Sequence, residues 1–214
     1  MPSFLVSGRI GLALACVLAA GAAAAAPPCT PLETRAPNAS NQRPAAPDQT
    51  RACGVTTATP LRVTVLARGL ERPWAVEPLP DCGFLVTEKP GRMRVVAADG
   101  RIGPALAGLP RVDARGQGGL LDVAIAPDFA TTREVWWTYA EPRDAGNATS
   151  VARGVLAQDG ESLADVRVVF RAQPAYDGDK HFGSRLVFCA DGALYVTLGD
   201  RSDRAMRPQA QRLD

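Results

Sequence analysis

The chain has 214 residues, with 24 Lys and Arg set against 22 Asp and Glu, a formal net charge of +2 and a single histidine. The basic residues are scattered, so the electrostatic footprint of a nucleic-acid-binding protein is absent. The length is ample for one hydrophobic core.

In chain order, residues 1–26 read as an export signal: Arg9 supplies the positive start, "IGLALACVLAA" a short apolar core, and "GAAAAAPP" small residues for cleavage near Ala26. That predicts a periplasmic or secreted protein with no membrane span after signal removal, because the apolar run is short for a spanning helix. Cys16 lies inside this run and matches a lipid-attachment box poorly. Residues 27–60, containing "PPCTPLETRAPNASNQRPAAPDQT", are rich in Pro and Ala, show no apolar period and read as a linker. An oxidising compartment permits a disulfide between Cys29 and Cys53, leaving Cys82 and Cys189 as the arithmetical remainder; spacing decides neither pairing.

From residue 61 to 214 helical periodicity gives way to short apolar runs broken by Gly, Pro and Asp, the pattern of an all-β domain. Three segments repeat one plan of strand, Asp-containing turn and strand, with turn aspartates at Asp81, Asp128 and Asp191, 47 and 63 residues apart. Repeats of about 40–50 residues built from four short strands are β-propeller blades, stretched where loops are inserted. Blade one offers "WAVEPL", "FLVTEK", "RMRVVAA" and "PALAGL", and blade two "LLDVAIA", "EVWWTYA", "SVARGVLA" and "VRVVFRA". Blade three has only "SRLVFCA" and "ALYVTLG". A further strand, "LRVTVLARGL", precedes blade one and resembles the outer strand of a closing blade whose partners would lie beyond residue 214. About two and a half blades with open edges are not an independently stable product, so the chain is expected to be part of a longer protein.

The loops leading into the inner strands, "LERPW", "ARGQGG" and "GDKHFG", carry Trp74, Gln117 and His181 to one mouth of the central channel. Because the second strand of a hairpin runs back to the face where the first began, Asp200 in "TLGDR" returns towards His181, and a turn near Asp191 and Gly192 sets His181 opposite roughly Ser202. A histidine beside a carboxylate at a channel mouth is a general-base arrangement. The same spacing also suits an aspartate that caps a turn and a histidine that packs there.

The motifs "LPDCGFLVTEKPGRMRVV", "GQGGLLDVAIAPDF", "VARGVLA" and "HFGSRLVFCADGALYVTLGDR", in that order, resemble the soluble pyrroloquinoline-quinone (PQQ)-dependent sugar dehydrogenases, in particular the bacterial aldose sugar dehydrogenases related to soluble glucose dehydrogenase. The resemblance covers roughly residues 61–214 and implies a six-bladed β-propeller of which this chain holds less than half. It implies PQQ and calcium as cofactors, an aldose oxidised to its lactone, and an electron acceptor whose identity it does not give. It assigns His181 as the base that takes the anomeric hydroxyl proton, Asp200 as its partner carboxylate, and Gln117 as a glutamine near the substrate hydroxyl and the quinone. It assigns no metal ligand within this chain, because most cofactor-binding residues belong to later blades. Lys180 stands where soluble glucose dehydrogenase has an acidic residue, which favours the broader aldose-oxidising relatives over close glucose specificity.

Other residues read as structural. Arg185 is expected to pair with a neighbouring carboxylate, Glu88 to close a strand, and Trp74 and "VWWTYA" to pack between blades. Two alternatives remain open: a non-catalytic propeller that binds sugars or partners through the same face, and a calcium-dependent propeller lactonase, which needs carboxylate and amide ligands converging from several blades.

Overall fold

The computed structural model describes residues 30–36, 38–43, 45–46 and 51–212. The expected export signal at 1–26 and Cys29 lie outside the described residues. The chain divides into two compact units, one ending at Arg62 and one beginning at Val63. In the first, an antiparallel bridge joins Pro31 to Cys53, and Arg51 donates to the Glu33 carbonyl at 2.6 Å. Cys53 is disulfide-bonded. Cys82 and Cys189 are free and exposed, so the remainder left by cysteine counting does not form a bridge. Each lies in the turn that follows the inner strand of a different blade.

In the second unit, strands β1 (Pro73–Pro78), β2 (Phe84–Glu88), β3 (Arg92–Val96) and β4 (Ile102–Ala105) form one four-stranded antiparallel meander. Strands β5 (Leu120–Ile125), β6 (Glu134–Arg143), β7 (Gly146–Leu156) and β8 (Leu163–Arg171) form a second. The pair β9 (Gly183–Phe188) and β10 (Leu194–Leu198) forms the two-stranded start of a third. One helical turn, α1 (Phe129–Thr132), joins β5 to β6, and a 3-10 turn spans Arg207–Gln211. These are the strands expected from the apolar runs, each shifted at its ends by a few residues.

Burial reports how many neighbours each blade has. Strand β5 is buried along almost its whole length because blade one covers one face and blade three the other. Strand β9 alternates, with Ser184 and Leu186 buried, as is Phe182 just before it, and Arg185 and Val187 exposed. A strand covered on one face is required to alternate, and one covered on both is not. The main core lies between blades one and two, where Leu85, Met93, Leu120, Trp137 and Tyr139 are fully enclosed. Burying one such side chain stabilises the fold by about 1.5–3 kcal/mol. A smaller cluster of Ala124, Val151 and Leu186, flanked by Trp136 and Phe188 packed edge to face, joins blade two to blade three.

Two expectations need correction. Residues 61–70 form no strand, and Leu61, Val63 and Val65 are exposed. A strand exists only through a hydrogen-bonding neighbour, and among the described residues this segment has none. Trp74 does not pack between blades: it is half exposed, on the open face of β1, and it borders a shallow cleft with Gly183, Ser184, Arg185 and Thr197. Of "VWWTYA", Trp137 and Tyr139 are buried as expected.

Candidate active site

The site is built where two loops meet. Gly116 has a left-handed backbone (φ +46°), and a Cβ there would overlap the backbone of Asp179, so only glycine lets the "ARGQGG" loop come this close to the loop before β9. At that approach the Gln117 backbone N–H donates to the Asp179 carbonyl at 2.7 Å. The Gln117 side chain then reaches across, and its Oε1 accepts the backbone N–H of His181 at 2.9 Å.

From the other side the β9–β10 hairpin returns. Its register pairs Val196 with Leu186, slips by one residue at an irregularity, and pairs Leu198 with Gly183. Continued outward, the shifted register sets Asp200, rather than Ser202, opposite His181. The His181 Nδ1 lies 2.7 Å from Asp200 Oδ1. The same oxygen accepts the Ser202 backbone N–H at 2.9 Å, and Arg207 Nε stands 3.8 Å from Oδ2. The hydrogen bond from His181 and then that from Ser202 hold the Asp200 carboxyl below its usual range. An ionised carboxylate accepts only, so the imidazole proton sits on Nδ1 and the lone pair on Nε2. Among the described residues Nε2 has no protein partner, and the side chain is 51% exposed.

The backbone here is unusual for residues with side chains. His181, Arg201 and Ser202 all have positive φ, at 46°, 59° and 56°. Such conformations cost of order 1–3 kcal/mol each and persist only where surrounding contacts over-determine them. Those contacts are present: the Arg201 N–H donates to the His181 carbonyl at 3.3 Å, and the Thr149 hydroxyl donates to the Phe182 carbonyl at 2.7 Å.

The structure thus brings His181, Asp200 and Gln117 together. Arg185 and Glu88 take the structural parts expected of them. Arg185 donates to Asp122 Oδ1 at 2.8 Å, while Glu88, almost wholly buried, accepts from Arg92 and Arg94 at 2.7 and 2.9 Å. Sequence reasoning missed Arg201 and Asn147, both buried, and the half-buried Asp113 beneath the loop. Arg201 adjoins Asp200 in "TLGDR", which was a usable signal; Asn147 opens an apolar strand and carried none.

Two four-stranded antiparallel meanders and a two-stranded hairpin, succeeding one another with β1, β5 and β9 as their first strands, are the architecture of a β-propeller, and His181 and Asp200 meet at one loop end of the hairpin. Residues 70–214 match the family model described as Glucose / Sorbosone dehydrogenase, and the chain belongs to that family. It is 44% identical over 156 residues to aldose sugar dehydrogenase YliI of Escherichia coli strain K12, covering 72% of this chain and 41% of that protein. Among solved structures it is similar to the soluble aldose sugar dehydrogenase of Escherichia coli in its apo-form, with a TM-score of 0.64 and 42% identity, over 70% of this chain and 43% of that one. It is also similar to the PQQ-bound form of aldose sugar dehydrogenase from Streptomyces coelicolor, with a TM-score of 0.59 and 31% identity, over 67% of this chain and 42% of that one. The chain therefore spans about two fifths of the length of these relatives.

Proposed function

We propose that the protein carrying this chain is a PQQ-dependent dehydrogenase that oxidises aldose sugars to lactones, with His181 as the general base. The observation that supports this reading most is the 2.7 Å contact between His181 Nδ1 and Asp200 Oδ1, which leaves Nε2 as the basic atom exposed to a substrate. Bound PQQ supplies the acceptor for the hydride that leaves the anomeric carbon. The donor set fits a sugar hydroxyl presented to such an acceptor. His181 Nε2 takes the hydroxyl proton, and the imidazolium that forms is stabilised through Nδ1–H by the ionised Asp200. The Gln117 Oε1 is engaged with the His181 loop, so its amide N–H groups are the ones directed to an oxygen of the sugar or the quinone. Calcium belongs to the same reading through the family resemblance. Among the described residues no group of three or more His, Cys, Asp and Glu is placed to hold a metal ion.

The chain alone is proposed to be inactive: β9–β10 is a two-stranded sheet, and Val187 and Tyr195 are exposed on it. Open strand edges of this kind favour association with other chains. The export signal read at 1–26 supports a periplasmic or secreted location.

The test is dye reduction by aldoses with the whole protein carrying these residues, loaded with PQQ and calcium. His181→Ala is expected to lower kcat by about 10²–10⁴-fold. Wild-type turnover in His181→Ala would remove His181 from the chemistry, and failure of every aldose tried would remove the substrate class.

A further inference from the structure

We propose that Arg201 is the positioning residue that sets the His181–Asp200 pair, an inference that rests on His181 being the base. Arg201 is only 8% exposed, yet among the described residues no carboxylate lies within ion-pair distance of it. A buried cation without a carboxylate partner is costly unless its donors are all engaged. Here four of the five N–H donors are engaged, two by the loop that carries His181 and two by Asn147 of β7. Nε donates to the Lys180 carbonyl at 3.0 Å, Nη1 to the Asn147 carbonyl at 3.0 Å, and Nη2 to the Gly178 carbonyl at 2.9 Å and to Asn147 Oδ1 at 2.5 Å. The guanidinium also lies 4.2 Å from the centre of the Phe182 ring and 5.7 Å from that of Tyr176.

One guanidinium therefore holds residues 178, 180 and 182, on both sides of His181, while the Arg201 backbone N–H holds the His181 carbonyl itself. Because Arg201 directly follows Asp200, the same clamp sets the separation between the imidazole and its carboxylate. Negative charge reaches it through an amide: Asn147 accepts from Arg201 at Oδ1 and donates through Nδ2 to Asp113 Oδ2 at 2.8 Å. Lysine cannot reproduce this fork, because a single ammonium cannot reach four oxygens spread over three residues and stack on a ring.

The experiment compares Arg201→Lys and Arg201→Gln with wild type in the whole protein carrying these residues. With PQQ and calcium bound, kcat is expected to fall about 10–100-fold in Arg201→Gln, less in Arg201→Lys, with KM within about 2-fold, since displacement of a catalytic group without loss of a substrate contact has that signature. Without cofactor, hydrogen exchange is expected to rise at least about 10-fold in residues 178–183 of either variant while β5–β7 stay protected. A kcat within about 2-fold of wild type with unchanged loop exchange would overturn the inference. So would protection lost equally through blades two and three, which would assign Arg201 to general packing. If Arg201→Gln does not fold, Arg201→Lys, which keeps the charge, carries the same two readouts. Full activity in His181→Ala would sink the base assignment separately, because the loop-exchange result does not depend on it.

Discussion

Gly199 runs against His181 so closely that a Cβ on Gly199 would overlap the His181 carbonyl oxygen. The approach is backbone against backbone, so no side-chain rotation relieves it. Gly199→Ala is expected to push the two strands apart where Asp200 meets the imidazole, lowering turnover of the loaded enzyme about 10²-fold and stability by about 1–3 kcal/mol. Dye-reduction kinetics with a thermal melt check both, and a fully active variant with an unchanged melting temperature would contradict the close approach.

Asp122 is predicted to be the principal polar tie between blades two and three. Its buried carboxylate accepts the Leu186 N–H at 2.7 Å through Oδ2 and Arg185 Nη1 at 2.8 Å through Oδ1. Asp122→Ala leaves a buried backbone donor unsatisfied and is expected to cost about 2–4 kcal/mol, with Asp122→Asn costing less because one acceptor remains. Urea unfolding of the three proteins tests the order, and equal stability of Asp122→Ala and wild type would refute it.

Acid should weaken the floor beneath the site before it affects the core. Hydrogen bonds from the Arg115 guanidinium, helped by Asn147, hold the Asp113 carboxyl down at about 2 against an ordinary 3.8. A carboxyl depressed in the folded state adds stability above its unfolded value and loses it as pH falls through its folded one, here between about pH 4 and 2. Asp113→Asn should flatten that part of the stability curve, removing on the order of 1–2 kcal/mol of pH dependence after screening at the exposed Arg115. Urea melts at several acidic pH values measure the slope, and a variant as pH-sensitive as wild type would count against this pairing.

Cys82 and Cys189 are both free and exposed, so both are expected to react with a thiol reagent in the native protein, while Cys53 reacts only after reduction. Mass spectrometry of the alkylated protein distinguishes these sites. Serine at either free position should leave the melting temperature unchanged within about 1 °C, since neither thiol is buried.

Most of the strand order was legible in the chain because a blade is local: consecutive strands pair with their neighbours, and turn residues such as Asp81, Asp128 and Asp191 mark the reversals. The inner-strand loops were legible for the same reason, which is why Gln117, His181 and Asp200 could be set near one another. Trp74 was misjudged, because whether an apolar residue is covered depends on the blade beside it, not on its own segment. The segment 61–70 has strand composition, yet composition cannot supply the partner a strand requires.

The sequence by itself determined the all-β repeat, which follows from periodicity and local spacing, and its motifs carried the resemblance to the family and the residue types in the loops before the inner strands. Only the tertiary structure decided that Asp200 rather than Ser202 faces the imidazole: the hairpin pairs one residue tighter than the turn suggested, and a one-residue slip between Val196 and Leu198, which no pattern of side chains marks, supplies the rest. It alone brought Arg201, Asn147 and Asp113 under that loop, because this polar network is assembled from a turn, a strand start and a loop far apart in the chain and leaves no period in any one of them.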